Sequence, residues 1–361
     1  MQFPEWNKSL IGRCQLANDT YLSICNALEL ATLRAHGQGA AATLMFKMLR
    51  RHQLDHFLPG LRKLGIDKDP SDAVKSGKYH YFSNILGGLD VHYMEETPEK
   101  VWVRYPAPYA MSDSPFSPSV GLAAFAPEVG HATFWAWHAH NGVSLGNPRL
   151  GFVLTQVAQQ GDPCHEGYFK VFDRDLEPNE RLQFSPAERG PAFDPASGPR
   201  LPVEDWTEVR AARALRNYAV EYVTSHVAAL LEMYGVSGAR AIVEHASRVT
   251  YAQLARKIMP EMDLEDADSG VEAFALFVKR ERESLHEEVE IEDSKDGALK
   301  IRQYARNPRL FPPSIPWPPE IEDAMHQGWR ILGGEIQFGM RVEMTSMLAA
   351  GDPCNEWVVR A

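Results

Sequence analysis

Gly161-Asp162-Pro163-Cys164 occurs a second time in this chain as Gly351-Asp352-Pro353-Cys354, and the flanks extend the match. Thr155 and Thr345 stand six residues before the two glycines, and Glu166 and Glu356 two residues after the two cysteines. Apolar runs lie on both sides. The pattern predicts a strand, a tight turn and a returning strand that opens at Cys164 or Cys354. Proline presets φ for such a turn, and the aspartate side chain accepts a bond from nearby backbone.

Other segments superpose at similar offsets, as a duplicated unit requires. The motif recurs at an offset of 190 residues; upstream the offset is 198, where Val91, Tyr93, Val101, Val103 and Arg104 fall on Val289, Ile291, Leu299, Ile301 and Arg302. The same offset places Leu33, Gly37 and Leu44 on Leu231, Gly235 and Ile242. Nearer the motif an offset of 192 aligns Pro127-Glu128-Val129 with Pro319-Glu320-Ile321, and Trp137 with Trp329. The expected fold is α+β, two pseudo-symmetric repeats, each of helices packed on a small antiparallel sheet.

The expected boundaries are an N-terminal extension over residues 1–17, anchored by Trp6 and Ile11, then a first unit over 18–172 and a second over 210–361. Residues 173–209, rich in proline and acid, suit a linker or an ordered wrap without an element of their own. Each unit reads as a helix (18–35; 210–233), a glycine break and a longer helix (39–64; 237–259). A strand pair follows, then a Pro-rich connection (105–118; 307–319). Another helix opens at Pro127 or Pro319 and stops at Asn141-Gly142 or Gly333-Gly334. The motif hairpin closes the unit.

A net charge of −11 argues against a nucleic-acid partner, which needs clustered Lys and Arg to displace counterions. No run is long and apolar enough to span a membrane, and residues 1–6 lack the basic and apolar regions of a secretory signal. The spacings of Cys14, Cys25, Cys164 and Cys354 match no zinc-site template, so reduced thiols in a cytoplasm is the expectation. Phosphate-binding, dinucleotide-binding and serine-nucleophile motifs are missing, so no cofactor is predicted. Whether a metal binds stays open, as does a homo-oligomer.

The stretch 127–141 carries the clearest site signal. Helical register transferred from the second unit buries Val129, Ala132, Thr133, Ala136, Trp137 and His140. The opposite face of the second unit holds Asp323, His326, Gln327 and Arg330, which reads as solvated. In the first unit that face is His131, Phe134, Trp135, His138 and Asn141. Imidazoles and aromatics there call for a cover, from the other unit, a second subunit or a ligand. Packing between units is the competing account. His131 and His138 lie too far apart to share a metal without further ligands.

Cys164 reads either as a nucleophile, with His138, His131 or His165 as base, or as a small buried hydrophobe. Asp162 and Asp352 read as turn formers. Glu166 and Glu356 read as a general acid/base or as cross-strand partners of Arg104 and Arg302, the ion pair being the simpler use.

Thr155 to Phe169, with Gly161, Asp162 and Cys164, and Thr345 to Val359, with Gly351, Asp352 and Cys354, resemble the L-2-amino-thiazoline-4-carboxylic acid hydrolase family. More distantly they are similar to vinyl-reductase-type small-molecule-binding domains. The resemblance implies hydrolytic opening of a small heterocycle at a C–N bond. It assigns no catalytic role to the matched residues, and a tandem pair departs from the single-unit family pattern. His165 and Asn355 also depart from it.

The expected function is therefore a small-molecule hydrolase acting on a C–N bond of a small cyclic amide or amidine, with its pocket mainly in the first unit. Cys164, His138, His131 and Glu166 are the catalytic candidates; Trp135, Phe134, Asn141 and His165 would bind substrate. The alternatives are a non-catalytic small-molecule-binding or regulatory module, or a lyase or isomerase acting on a small aromatic ligand.

Overall fold

The structure is a computed structural model that describes residues 3, 5–106, 125–201, 204, 206–294 and 297–361. The chain is α+β. Helices α1 (Leu10–His36), α2 (Gln38–Lys63) and α3 (Asp72–Leu86) lead into strands β1 (His92–Glu96) and β2 (Lys100–Pro106). Then come α4 (Pro127–Ala136), α5 (Asn141–Leu145), β3 (Leu150–Gln156), β4 (Cys164–Val171) and β5 (Leu182–Phe184). The remainder is α6 (Glu208–Ile258), α7 (Gly270–Ser284), β6 (Glu290–Asp293), β7 (Leu299–Gln303), α8 (Pro319–Ile336), β8 (Arg341–Ser346) and β9 (Asn355–Arg360). Residues 107–118 of the first Pro-rich connection lie outside the described residues.

Gly37, between α1 and α2, has φ 81° and ψ −179°. Gly235, which breaks α6, has φ 64° and ψ −174°. That backbone region is essentially closed to side chains, so glycine sets both breaks. Two helices escaped the sequence pattern, α3 and α7. Each opens on a serine whose hydroxyl accepts from the third backbone N–H on: Ser71 from Val74, Ser269 from Glu272, both at 3.3 Å.

The first sheet runs β1-β2-β4-β3-β5 and the second β6-β7-β9-β8. All neighbours are antiparallel except β5, which adds parallel to β3. Both motif hairpins close the same way. A 3-10 turn (Ala158–Gln160; Leu348–Ala350) leads to Gly161 at φ 92° or Gly351 at φ 91°. Asp162 Oδ2 then accepts from Val157 N, and Asp352 Oδ2 from Met347 N, each at 2.8 Å.

The chain divides into two compact units, Thr32–Ala214 and Met1–Ala31 with Leu215–Ala361. This partition differs from the boundaries expected at 17 and 209, because the first three turns and more of α1 pack with the C-terminal half. Cys25 Sγ lies 3.9 Å from the Ala219 carbonyl, Glu29 lies 3.1 Å from His226 Nε2, and Arg282 donates to the Tyr21 hydroxyl at 3.3 Å. Trp6 is buried as expected, but Ile11 is exposed and anchors nothing. Residues 173–201 are an ordered wrap that does carry an element, β5. Tyr168 donates to Glu188 at 3.0 Å and Gly190 N to Glu166 at 2.8 Å, which ties the wrap to one face of the first sheet.

The helix at Pro127 is the largest correction. It ends at Ala136, passes into a 3-10 turn at His138–His140, and only then resumes as α5, closed by Gly146 in the left-handed region. Register transferred from the second unit holds for Val129, Ala136 and Trp137, which are buried, but the opposite face is covered as well, since Trp137 packs on His52 of α2 while Phe134 stacks on Phe152 of β3. Phe134, His138 and Asn141 are buried in their own unit, whereas Ala132, Thr133 and His140 are half-buried. The comparison face fails, since His326 and Gln327 are buried in the second unit. α8 likewise runs through Gly333-Gly334 to Ile336.

Candidate functional site

Side chains alternate across a strand, and this alternation sorts the expected site residues of the first unit onto two faces. Tyr105, Val103 and Val101 of β2, and Phe169 of β4, join the core packed under the helices, with Phe134, Phe152 and Leu154. Trp102, Val153 and Tyr168 point the other way. Cys164 and Glu166 share that outer face, whereas His165 shares the inner face with His138.

On the outer face Glu166 is fully buried and accepts five bonds. Arg104 reaches it through Nε at 2.7 Å and Nη2 at 2.6 Å; Thr155 Oγ1, Gln156 Nε2 and Gly190 N lie at 3.1, 2.9 and 2.8 Å. A bulge between Leu154 and Gln156 lets both Thr155 and Gln156 reach it. Burial pushes the carboxyl up, but the bonds from Gly190, Gln156 and Arg104 outweigh it and hold the group below its ordinary range. Glu166 is thus an ion-pair partner, as is Glu356, which takes Arg302 Nε at 2.7 Å. The Cys164 sulfur lies 3.6 Å from Gln156 Oε1, and burial followed by the Glu166 charge pushes its thiol up to about 11. The imidazoles proposed as its base, His138 and His165, are across the sheet.

The inner face holds a polar group within an aromatic core. His138 Nε2 is 2.8 Å from the Tyr105 hydroxyl, and its ring stacks on His80 with centroids 3.9 Å apart. Phe134, Phe152 and Phe169 complete its surroundings. His80 Nε2 accepts from Asn141 Nδ2 at 3.1 Å, and Asn141 Oδ1 accepts from Gln53 at 3.4 Å. His165 Nδ1 accepts from Ala158 N at 3.4 Å. Burial drops His80 and His165 to about 3, and His138 well below its ordinary value, the neighbouring imidazoles adding to the effect on His138. These rings are neutral at pH 7, so they act as hydrogen-bonding groups and not as charges. His138 Nδ1 is buried without a partner.

His131 does not join them. It is half-buried, 3.3 Å from Gln160 Nε2, with its ring against Phe184. Trp135 packs at the edge of the core, and its carbonyl takes a 2.7 Å bond with His140 Nδ1. His80 was missed in the sequence because the pattern of 72–86 was not recognised as a helix, and that helix delivers it to the sheet; Tyr105 on β2 and Gln53 on α2 lie in elements that were expected, but no local signal marks them as partners of His138 and Asn141.

A cleft lies in the other unit, where the sequence pointed to no site. Residues 285–290 and 304–309, with Arg216 of α6, line an open cleft of about 510 Å³. Its geometry begins at the end of α7. His286 N bonds to Glu283 O and Glu287 N to Arg282 O, a Schellman end with His286 in the left-handed region at φ 59°. α3 ends identically: Gly88 N bonds to Ile85 O, Leu89 N to Asn84 O, and Gly88 has φ 83°. Where α3 uses the cheap glycine and a leucine packed on the core, α7 uses a strained histidine and a buried acid. This change, visible at the 198-residue offset, is the signal that could have revealed the cleft.

Glu287 accepts from Gln303 Nε2 at 2.7 Å and Arg282 Nη1 at 3.2 Å, and from Asn307 N. Burial raises its carboxyl above the ordinary range, with Arg282 opposing. Arg306 Nη1 is 2.9 Å from the buried Glu322, and Arg309 pairs with Glu221.

Among the described residues, no group of three or more His, Cys, Asp or Glu side chains comes together in a way that would hold a metal ion. No family model, no curated protein and no solved structure matches this chain.

Proposed function

We propose that this chain is a small-molecule-binding protein whose ligand occupies the cleft between residues 285–290 and 304–309. The observation that carries the reading is the exchange of Gly88-Leu89 for His286-Glu287 at two otherwise matching helix ends. A non-glycine residue in the left-handed region and a carboxylate at a normally apolar position each cost stability. His286 is exposed on a cleft whose size suits a ligand, and the buried Glu287 ties that wall to Gln303, Arg282 and Asn307. Thiol hydrolysis at Cys164 has less support, since the thiol is held protonated and its expected bases lie across the sheet.

A thermal-shift screen of small molecules tests the proposal, with Ala305→Trp as the variant that fills the cleft. Binders of the native chain should lose their effect in Ala305→Trp. A screen without binders, or binders indifferent to the tryptophan, would overturn it. Turnover of cyclic amides that Cys164→Ser abolishes would restore the hydrolase reading.

The two halves are further proposed to descend from one duplicated sequence. Gly37 and Gly235, Ser71 and Ser269, Gly161 and Gly351, and the Arg104–Glu166 and Arg302–Glu356 pairs support that origin. On this view one copy changed the end of its third helix into a ligand wall. Among the described residues no helix is long and apolar enough to cross a membrane. Four buried cysteine thiols suit a reducing compartment, on which ground the cytoplasm is proposed.

A further inference from the structure

We infer that the cleft takes a zwitterion, an amino-acid derivative or short peptide with a free ammonium and a free carboxylate. The inference rests on the reading of the cleft as a ligand site and names its ligand class.

The walls of the cleft differ in sign. Glu287, Glu288 and Glu290 all come from the segment that enters β6, whereas Arg306 and Arg309 come from the segment that leaves β7, with Arg216 beside them. Strand pairing brings them together. β6 and β7 are antiparallel with Glu290 opposite Arg302, so the residues before β6 and after β7 leave the sheet at one end. Two exposed carboxylates, Glu288 and Glu290, therefore stand on one segment and the guanidiniums of Arg306 and Arg309 on the other, while Glu287 is engaged by Gln303, Arg282 and Asn307 and Arg216 by Asn217.

A simple anion entering the cleft would meet Glu288 and Glu290, both exposed; a simple cation would meet the arginines. A ligand bearing both charges satisfies both walls, which is how charge patterning selects against single-charge competitors. Donors are in place for the carboxylate end. A guanidinium has five N–H groups, and the bonds of Arg306 to Glu322 and of Arg309 to Glu221 each engage a single nitrogen. Val289 and Pro308 supply apolar surface for the ligand's middle. A volume of about 510 Å³ exceeds the needs of an inorganic ion and falls within the range of sites for drug-sized molecules.

The test is calorimetric titration of the full chain with the twenty amino acids and a set of dipeptides, each also prepared N-acetylated and as the C-terminal amide. A zwitterionic member should bind, and each cap should weaken it by about ten-fold or more, the size expected for losing a charge-assisted bond. Arg309→Gln, at an exposed position, should weaken the free acid and leave the affinity for the amide unchanged. Glu288→Gln with Glu290→Gln should do the same for the free amine against its acetylated form. Capped and uncapped forms binding alike would overturn the inference, as would the absence of binding by any zwitterion. If another class of ligand binds and Ala305→Trp removes it, only the zwitterion falls; if nothing binds, the cleft reading falls with it.

Discussion

Arg104 and Glu166 face each other across β2 and β4 with Nη2 and Oε2 2.6 Å apart, and Arg302 and Glu356 hold the same register across β7 and β9 at 2.7 Å. The two pairs differ in exposure: the Glu166 side chain is fully buried, whereas that of Glu356 is 16% exposed.

That difference sets the expected cost of breaking them. Glu166→Gln leaves a half-buried guanidinium without its counter-charge and should destabilise the protein by about 3 kcal/mol. Glu356→Gln, at a wetter site, should cost about 1 kcal/mol or less. Urea unfolding of the two variants checks the order, and equal losses would contradict the burial argument.

Acid should weaken the unit Thr32–Ala214 through its imidazoles. His80 and His165 are depressed to about 3, and His138 well below 6.5. Above pH 6.5 the rings are neutral in folded and unfolded chains alike and contribute no pH dependence. As pH falls from 6.5 towards 3, the unfolded chain binds protons that the folded chain refuses, so stability is lost at about 1.4 kcal/mol per pH unit for each ring. Unfolding midpoints measured between pH 7.5 and 4.5 should fall steeply, and His80→Phe should flatten the slope. A slope unchanged by that substitution would place the protonation elsewhere.

The turn glycines offer a cleaner measurement. Nothing lies within 4 Å of a Cβ added at Gly161 or Gly351, so Gly161→Ala and Gly351→Ala differ from the native chain only in backbone strain. Each should cost about 1–2 kcal/mol, and asparagine at either position should cost less. Thermal denaturation of the four variants tests this; tolerance of alanine would mean that the turns relax.

Cys164 should be sluggish towards thiol reagents. With its thiol pushed up to about 11, the thiolate fraction near pH 8 should be ~100-fold below that of an ordinary cysteine. Timed alkylation followed by peptide mass analysis reads this directly. Rapid labelling of Cys164 in the folded protein would revive it as a nucleophile.

The sequence was most legible where structure is set by local backbone chemistry. Two glycines at an offset of 198 share a conformation that side chains cannot adopt, and two Gly-Asp-Pro-Cys stretches make the same turn through the same aspartate bond. The cross-strand partners of Glu166 and Glu356 followed from strand pairing alone. Legibility was partial at 127–141, where the sister helix placed Val129, Ala136 and Trp137 in the core correctly but not Ala132, Thr133 or His140. Phe134 and His138 both pack on Phe152 of β3 while Trp137 packs on His52 of α2, so the helix is covered on two sides, which the sister copy's single apolar stripe did not indicate.

Amino-acid order by itself determined the turns, the glycine breaks and the identity of the paired strands, because each depends on neighbours in the chain or on an alternation of two. Tertiary structure alone decided that Cys164 and His138 lie on opposite faces of a sheet. It also decided that Glu288 and Arg309 line one cleft. Both outcomes depend on where distant segments are brought together, and a strand pair joins residues whose spacing in the chain says nothing about their distance in space.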